Sequence, residues 1–288
     1  MCIISGEIER VSDTKIIAAP VENGRQLIVY SNAVKKTNEQ NPVAMILPYP
    51  NGHSNVEVIE TEERDMAVFS SLKYCFTVSR NKGLSCNSTN INMVHKHLEV
   101  LRSGSYRYSV ATNMDDLYRI DRSVFELEPE LDILLKSYGD RGFGFIVCVI
   151  DKSAKYSPFA YITDMDVGKL FIPTKHFHRH SLSSSPVNEA DWDHDIYIIG
   201  IKGESQCRSL NIISKTAFYG YNISSYDKPY SFSKYLTKAI NPSYLSKFHI
   251  IGHRTPNMDI ILDVGLSSPS SSFIPHKINT QIGRPPSI

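Results

Sequence analysis

Short apolar runs bounded by Gly, Pro, Asn and charged residues recur along this chain, the mark of strands, whose side chains turn to opposite faces with a period of two. Residues 14–19 and 25–30 are two such strand-like runs, and Asn23-Gly24 between them supplies the positive backbone φ that a tight turn requires. The pattern predicts a hairpin. Residues 43–47 form a further strand candidate, stopped where Pro48 and Pro50 remove ladder donors and Asn51-Gly52 turns the chain, with a fourth strand at 56–59.

The period then lengthens. Met66, Phe69 and Leu72 share one helical face within residues 62–73, and the acidic first turn suits the positive end of a helix dipole. The acidic run 57–65 is read as a solvated face. Residues 79–92 read as a loop, 95–102 as either helix or strand, and 106–112 as a strand. A second helix is predicted over 130–138, begun near Pro129 and ended by Gly139.

Gly139, Gly142 and Gly144 invite comparison with a phosphate-binding loop, but such loops follow a strand and open a helix, whereas these glycines follow a helix and open a strand. They are assigned to a helix C-cap and a strand start. Residues 143–150 should form a buried central strand, and 159–163 and 169–173 should continue the sheet. Strands are also expected at 195–201, 209–213, 248–251 and 258–262, with a short helix at 231–240. The sum is an α+β class, β-rich, with largely antiparallel sheets and a few peripheral helices. Residues 1–265 read as a single globular domain, and 266–288 as a disordered Ser/Pro-rich tail with too little apolar surface to order itself.

At 288 residues and 41% hydrophobic content the chain can bury a substantial core, and its formal net charge of +1 provides no basic footprint for nucleic acid. The longest apolar run, 143–150, is too short to span a bilayer, and the N-terminus lacks a signal-peptide leader. Five cysteines without a CxxC pair argue against a disulfide framework. A soluble intracellular, cytoplasmic protein is expected.

The candidate chemistry lies between Pro173 and Asp195. On a strand His176, His178 and His180 project to one side, and His194, flanked by Asp193 and Asp195, follows closely enough to join them. Neutral imidazoles bind divalent transition metals such as zinc, so His176, His178 and His194 form a candidate metal site, with Asp193 as fourth ligand or as the carboxylate that orients a ligating imidazole. An open coordination position would activate water for hydrolysis. The same residues also read as a solvent-facing strand followed by a turn with a local ion pair. His95 and His97 repeat the spacing without an adjacent carboxylate.

Cys2 offers a different mechanism. Removal of Met1 would leave a free α-amine beside a thiol, in which the amine serves as base for its own nucleophile. The start resembles that of N-terminal-nucleophile amidohydrolases, though the Arg, Asp and Asn positions of such sites are not evident; a buried, inert Cys2 is the competing reading. Cys148, within an apolar strand, is assigned to the core. Tyr219, Tyr221, Tyr226, Tyr230 and Tyr235 are either a surface for a protein partner across 219–235 or packing against the sheet.

The Met-Cys start, the Leu47-Pro48-Tyr49-Pro50 segment, the Pro173-Thr174-Lys175-His176-Phe177-His178 segment and the later Asp193-His194 pair resemble an uncharacterised protein family. The resemblance covers most of the chain up to about residue 200 and carries no assigned activity. It implies that both halves form one unit and that Cys2 and the histidines act together.

Overall fold

Strict alternation in the central strands sorts their side chains into two faces, and both faces are buried. On the first strand Ile16 and Ala18 enter one apolar cluster while Ile17 and Ala19 enter another. A strand buried on both sides reads as a continuous apolar run, which is why the 143–150 segment stands out in the sequence.

The computed structural model describes residues 3–76, 98–166, 168–179, 190–201, 217–222, 235, 238–240, 244–254 and 257–264. Its strands in chain order are β1 (Ile3–Val21), β2 (Arg25–Lys36), β3 (Ala44–Tyr49), β4 (Glu57–Ile59), β5 (Leu101–Ser103), β6 (Tyr106–Ala111), β7 (Gly144–Val149), β8 (Ala154–Lys155), β9 (Phe159–Asp164), β10 (Lys169–Ile172), β11 (Phe177–Arg179), β12 (Ala190–Ile199), β13 (Ala217–Asn222), β14 (Tyr244–Arg254) and β15 (Ile260–Asp263). Three α-helices accompany them: α1 (Ala67–Phe76), α2 (Met114–Tyr118) and α3 (Pro129–Gly139). The fold is α+β, β-rich and largely antiparallel, as the strand pattern predicts. Only the β1–β11 and β1–β12 pairings are parallel among the described residues.

β1 organises the molecule. Its first residues pair with β3 and β11, and its later residues pair with β2 and β12, so one strand serves two groups of partners. The first group continues through β7 and β6 to β5; the second continues through β14 to β13 on one side, and through β2 and β9 to β4 on the other. Between the two groups lies the largest apolar cluster, to which Met45, Leu47, Ile146 and Cys148 point from the first group and Ile28, Tyr161 and Ile196 from the second. On the opposite faces, Val68, Phe69 and Leu72 of α1 cover the second group, and Leu131, Leu134 and Leu135 of α3 cover the first.

The expected hairpin forms, with Val21 paired to Arg25 and both Asn23 and Gly24 at positive φ. The helix expected at 62–73 begins as a 3-10 turn, Glu63–Met66, because Glu62 and Asp65 close a reciprocal capping box before α1 starts. α3 matches its prediction, with Pro129 in its first turn.

Three expectations require correction. Pro48 does not stop the ladder, since it pairs with Phe145; the β1 pairing of β3 ends at Ile46, so a residue without an N–H is tolerated beyond it. β10 does not continue the main sheet but forms a separate two-stranded ladder with β15. The Asp193 to Asp195 stretch is not a turn: it lies within β12, which starts at Ala190 rather than at 195. The loop at 79–92, the strand at 209–213, most of the helix at 231–240 and the tail at 266–288 lie outside the described residues.

Candidate functional site

Alternation along β12 puts Trp192, His194 and Ile196 on one face, and β12 and β11, the two segments that carry the histidines, each pair in parallel with β1. His194 is completely buried and Trp192 nearly so. His176 lies in the extended stretch just before β11, also buried, and its ring meets both. The centroids of His176 and His194 are 5.0 Å apart, those of His176 and Trp192 5.1 Å, and those of Trp192 and His194 4.8 Å. His178, on β11 and partly exposed, has its centroid 5.9 Å from that of His176.

The ring of His176 therefore neighbours that of His178 on one side and that of His194 on the other, although residue 176 precedes β11 and does not lie on a strand. The alternative of a solvent-facing histidine strand does not describe His176. β11 is short, covering Phe177–Arg179, and His180, His95, His97 and Cys2 lie outside the described residues. Among the described residues no group of three or more His, Cys, Asp or Glu side chains is drawn together as a ready-made metal cage.

The polar bookkeeping of the cluster is incomplete. Among the described residues neither ring nitrogen of His176 has a hydrogen-bond partner, and neither the Nε2 of His194 nor the Nε1 of Trp192 has one. A buried polar group left in this way costs about 1–3 kcal/mol, so several such groups converging in one place call for an explanation. Burial, with the neighbouring His178 adding to it, holds the His176 imidazole well below its ordinary pKa, so the ring is neutral at pH 7. At His194, Nδ1 accepts the backbone N–H of Asp193 at 3.1 Å, the role of an unprotonated ring nitrogen. The Asp193 carboxylate is half exposed, with Oδ1 3.6 Å from the same Nδ1.

Two residues that local sequence patterns did not single out hold the His176 segment. Asn257 Oδ1 accepts the His176 N–H at 2.7 Å, and Asn257 Nδ2 donates to the His176 carbonyl at 2.7 Å. Asp259 Oδ1 accepts the N–H groups of Thr174 and Lys175, each at 2.9 Å, while Tyr138 of α3 donates its hydroxyl to Asp259 Oδ2. Burial raises the Asp259 pKa above the ordinary carboxylate range against the lowering effect of these donors. No signal near residues 173–195 points to partners some eighty positions away; Trp192 could have been found from its i, i+2 relation to His194.

Cys148 is a buried core residue of β7, as expected. Of the tyrosines at 219–235, Tyr235 is buried in the apolar cluster beneath α1, which makes it a packing residue. No described helix is long and apolar enough to cross a membrane.

No family model matches the chain. Among solved structures it is similar to baculovirus P35, with a TM-score of 0.49 and 13% identity, covering 88% of this chain and 97% of that one. It is also similar to a mutated baculovirus P35 after caspase cleavage, with a TM-score of 0.46, 10% identity, and 88% and 98% of the two chains covered. The caspase-8/P35 complex gives a TM-score of 0.45 at 11% identity, covering 88% of this chain and 96% of that chain.

Proposed function

We propose that this chain is a noncatalytic metal-binding protein in which His176, His178 and His194 hold a divalent transition metal such as zinc. The observation that carries the reading is the pairing of His176 with His194: two buried imidazoles with centroids 5.0 Å apart, three of whose four ring nitrogens have no hydrogen-bond partner among the described residues. Two imidazoles sharing one tetrahedral ion at a metal–nitrogen distance of about 2.0–2.1 Å have centroids roughly 5 Å apart, so the spacing suits a common ion. The neutral state that burial imposes on His176 is the state that ligates.

A structural role fits better than hydrolysis. Catalytic zinc keeps a position open to water and substrate, whereas His194 and Trp192 close this cluster from the β12 side with 0% and 3% exposure. The metal would fasten the segment before β11 to β12, on either side of the bend in β1. Ligation through His194 Nε2 would put the ring proton on Nδ1, giving up the Asp193 N–H bond that Nδ1 now accepts and leaving the Asp193 carboxylate, 3.6 Å away, as the nearby group that could take it. Asp193 is then an orienting carboxylate rather than a ligand.

The test is metal analysis of the purified full chain after zinc loading and desalting, together with emission from Trp192, the single tryptophan of the sequence. The expected result is one equivalent of zinc, a change in Trp192 emission on loading, and loss of both in His176→Ala. Substoichiometric zinc that His176→Ala leaves unchanged overturns the reading.

A further inference from the structure

Residues 173–176 make no backbone ladder, yet they run beside the segment 257–259 as if they did. Side chains replace the missing strand bonds. Asn257 forms two opposed hydrogen bonds with the backbone of His176, imitating a β-bridge with its amide, and Asp259 caps the two preceding N–H groups. Thr174 Oγ1 adds a bond to the Met258 carbonyl at 3.0 Å. Immediately beyond, Ile172 pairs with Ile260 and the true ladder of β10 and β15 begins.

We infer that Asn257 is a positioning residue for His176, and that metal occupancy is coupled to the docking of residues 257–263 onto β10. The inference rests on the metal-binding reading above. Three observations carry it. β15 ladders with β10 alone among the described residues, and β10, though Gln26 of β2 accepts its Phe171 N–H at 2.9 Å, shares no backbone ladder with the thirteen-stranded sheet, so β15 can leave without breaking that sheet. β15 is held to the core by one face only, Ile260 and Leu262, while Ile261 is 45% exposed and Met258 40%. The His176 backbone takes both its N–H and its C=O partner from the one side chain of Asn257, so release of residues 257–263 frees the ligand-bearing segment.

Coupling between two events is reciprocal. If docking of 257–263 seats His176, a metal that needs His176 in its seat must in turn hold 257–263 down.

The experiment is amide hydrogen exchange on the full wild-type chain with and without zinc, paired with zinc affinity of Asn257→Ala. Zinc is expected to slow exchange at residues 260–263 by at least about tenfold, and Asn257→Ala to bind zinc about 10–100-fold more weakly. Zinc-dependent protection is a readout that a merely structural Asn257 would not produce, and it decides the question alone if Asn257→Ala does not fold. Stoichiometric zinc on the wild type with unchanged exchange at 260–263 overturns the inference and leaves the metal reading standing. A wild-type chain that binds no zinc overturns both.

Discussion

Ile3 of β1 pairs with Phe177, Thr14 of the same strand pairs with His194, and the neighbouring rings of His176 and His194 nevertheless meet at 5.0 Å. Eleven residues of straight strand would separate Ile3 from Thr14 by roughly 36 Å, so the contact exists only because β1 bends. The bends are visible as register shifts between Ile3 and Glu7, between Ile8 and Arg10, and between Ser12 and Lys15. Gly6 at φ +80° and Asp13 at φ 55° sit within them. The histidine cluster is a product of strand curvature, not of sequence proximity.

Gly6→Ala tests that curvature. A Cβ at Gly6 would meet the Pro42 carbonyl oxygen at 2.3 Å in a conformation that L side chains rarely adopt, whereas one at Gly24, also at positive φ, meets nothing within 4 Å. Gly24→Ala should cost about 1 kcal/mol for the backbone alone, and Gly6→Ala about 2–4 kcal/mol because backbone must also move. Urea unfolding of the two variants checks the order; equal losses would show that the bend at Gly6 is not tight.

Trp192 separates packing from polarity within the cluster. Its Nε1 has no hydrogen-bond partner among the described residues, so Trp192→Phe gives up no bond seen there and should change stability by less than about 1.5 kcal/mol. Trp192→Ala empties a volume walled by His176 and His194 and should cost about 3–5 kcal/mol. Thermal unfolding of both variants distinguishes them, and a large loss in Trp192→Phe would reveal a partner for the indole N–H.

Much of this architecture can be read along the chain, and the places where it cannot share a physical cause. The hairpin at Asn23-Gly24, the buried run of β7 and the limits of α3 are set by neighbours in sequence, so they are legible. β12 was legible in principle, because Asp191, Asp193 and Asp195 alternate with Trp192, His194 and Ile196. Its acids also read as a turn, and what makes Asp195 tolerable in a strand is supplied from β14, where Lys247 and His249 each lie 2.8 Å from it. The departure of β10 from the main sheet leaves no local trace, since Leu170 and Ile172 would be apolar with either partner. Asn257 and Asp259 are invisible for the same reason: their role is defined by backbone groups of Thr174, Lys175 and His176 that any sequence would carry.

The start of α2 predicts an acid-labile element. Asn113 Oδ1 accepts the Asp116 N–H at 2.9 Å, and Asp116 in turn accepts from the Thr112 hydroxyl at 2.6 Å and from Arg119 at 2.9 Å. Asn113→Ala should cost about 1 kcal/mol as a lost N-cap. The Thr112 bonds, foremost, hold the Asp116 pKa below the carboxylate value, so its contribution to stability is present above that value and is lost as pH falls through the lower folded pKa. Unfolding free energies measured from pH 6 down to pH 2 should therefore decline less steeply for Asp116→Asn than for wild type.

Asp259 should show the opposite slope. It is partly buried, and burial raises its folded pKa above the ordinary carboxylate value even though Thr174, Lys175 and Tyr138 all donate to it. A carboxyl whose folded pKa is raised contributes most below its unfolded pKa, and that contribution fades as pH rises through the folded value. Asp259→Asn keeps an oxygen for the Thr174 and Lys175 N–H groups, and its amide can donate to the Tyr138 oxygen, so the variant removes the charge and preserves the clasp. It is expected to gain on wild type between pH 4 and pH 8 and to lose that advantage toward pH 3. Chemical denaturation of both proteins across this range checks the sign. A variant that is less stable than wild type at every pH would mean that the ionised carboxylate, held by its three donors, is the form the fold requires.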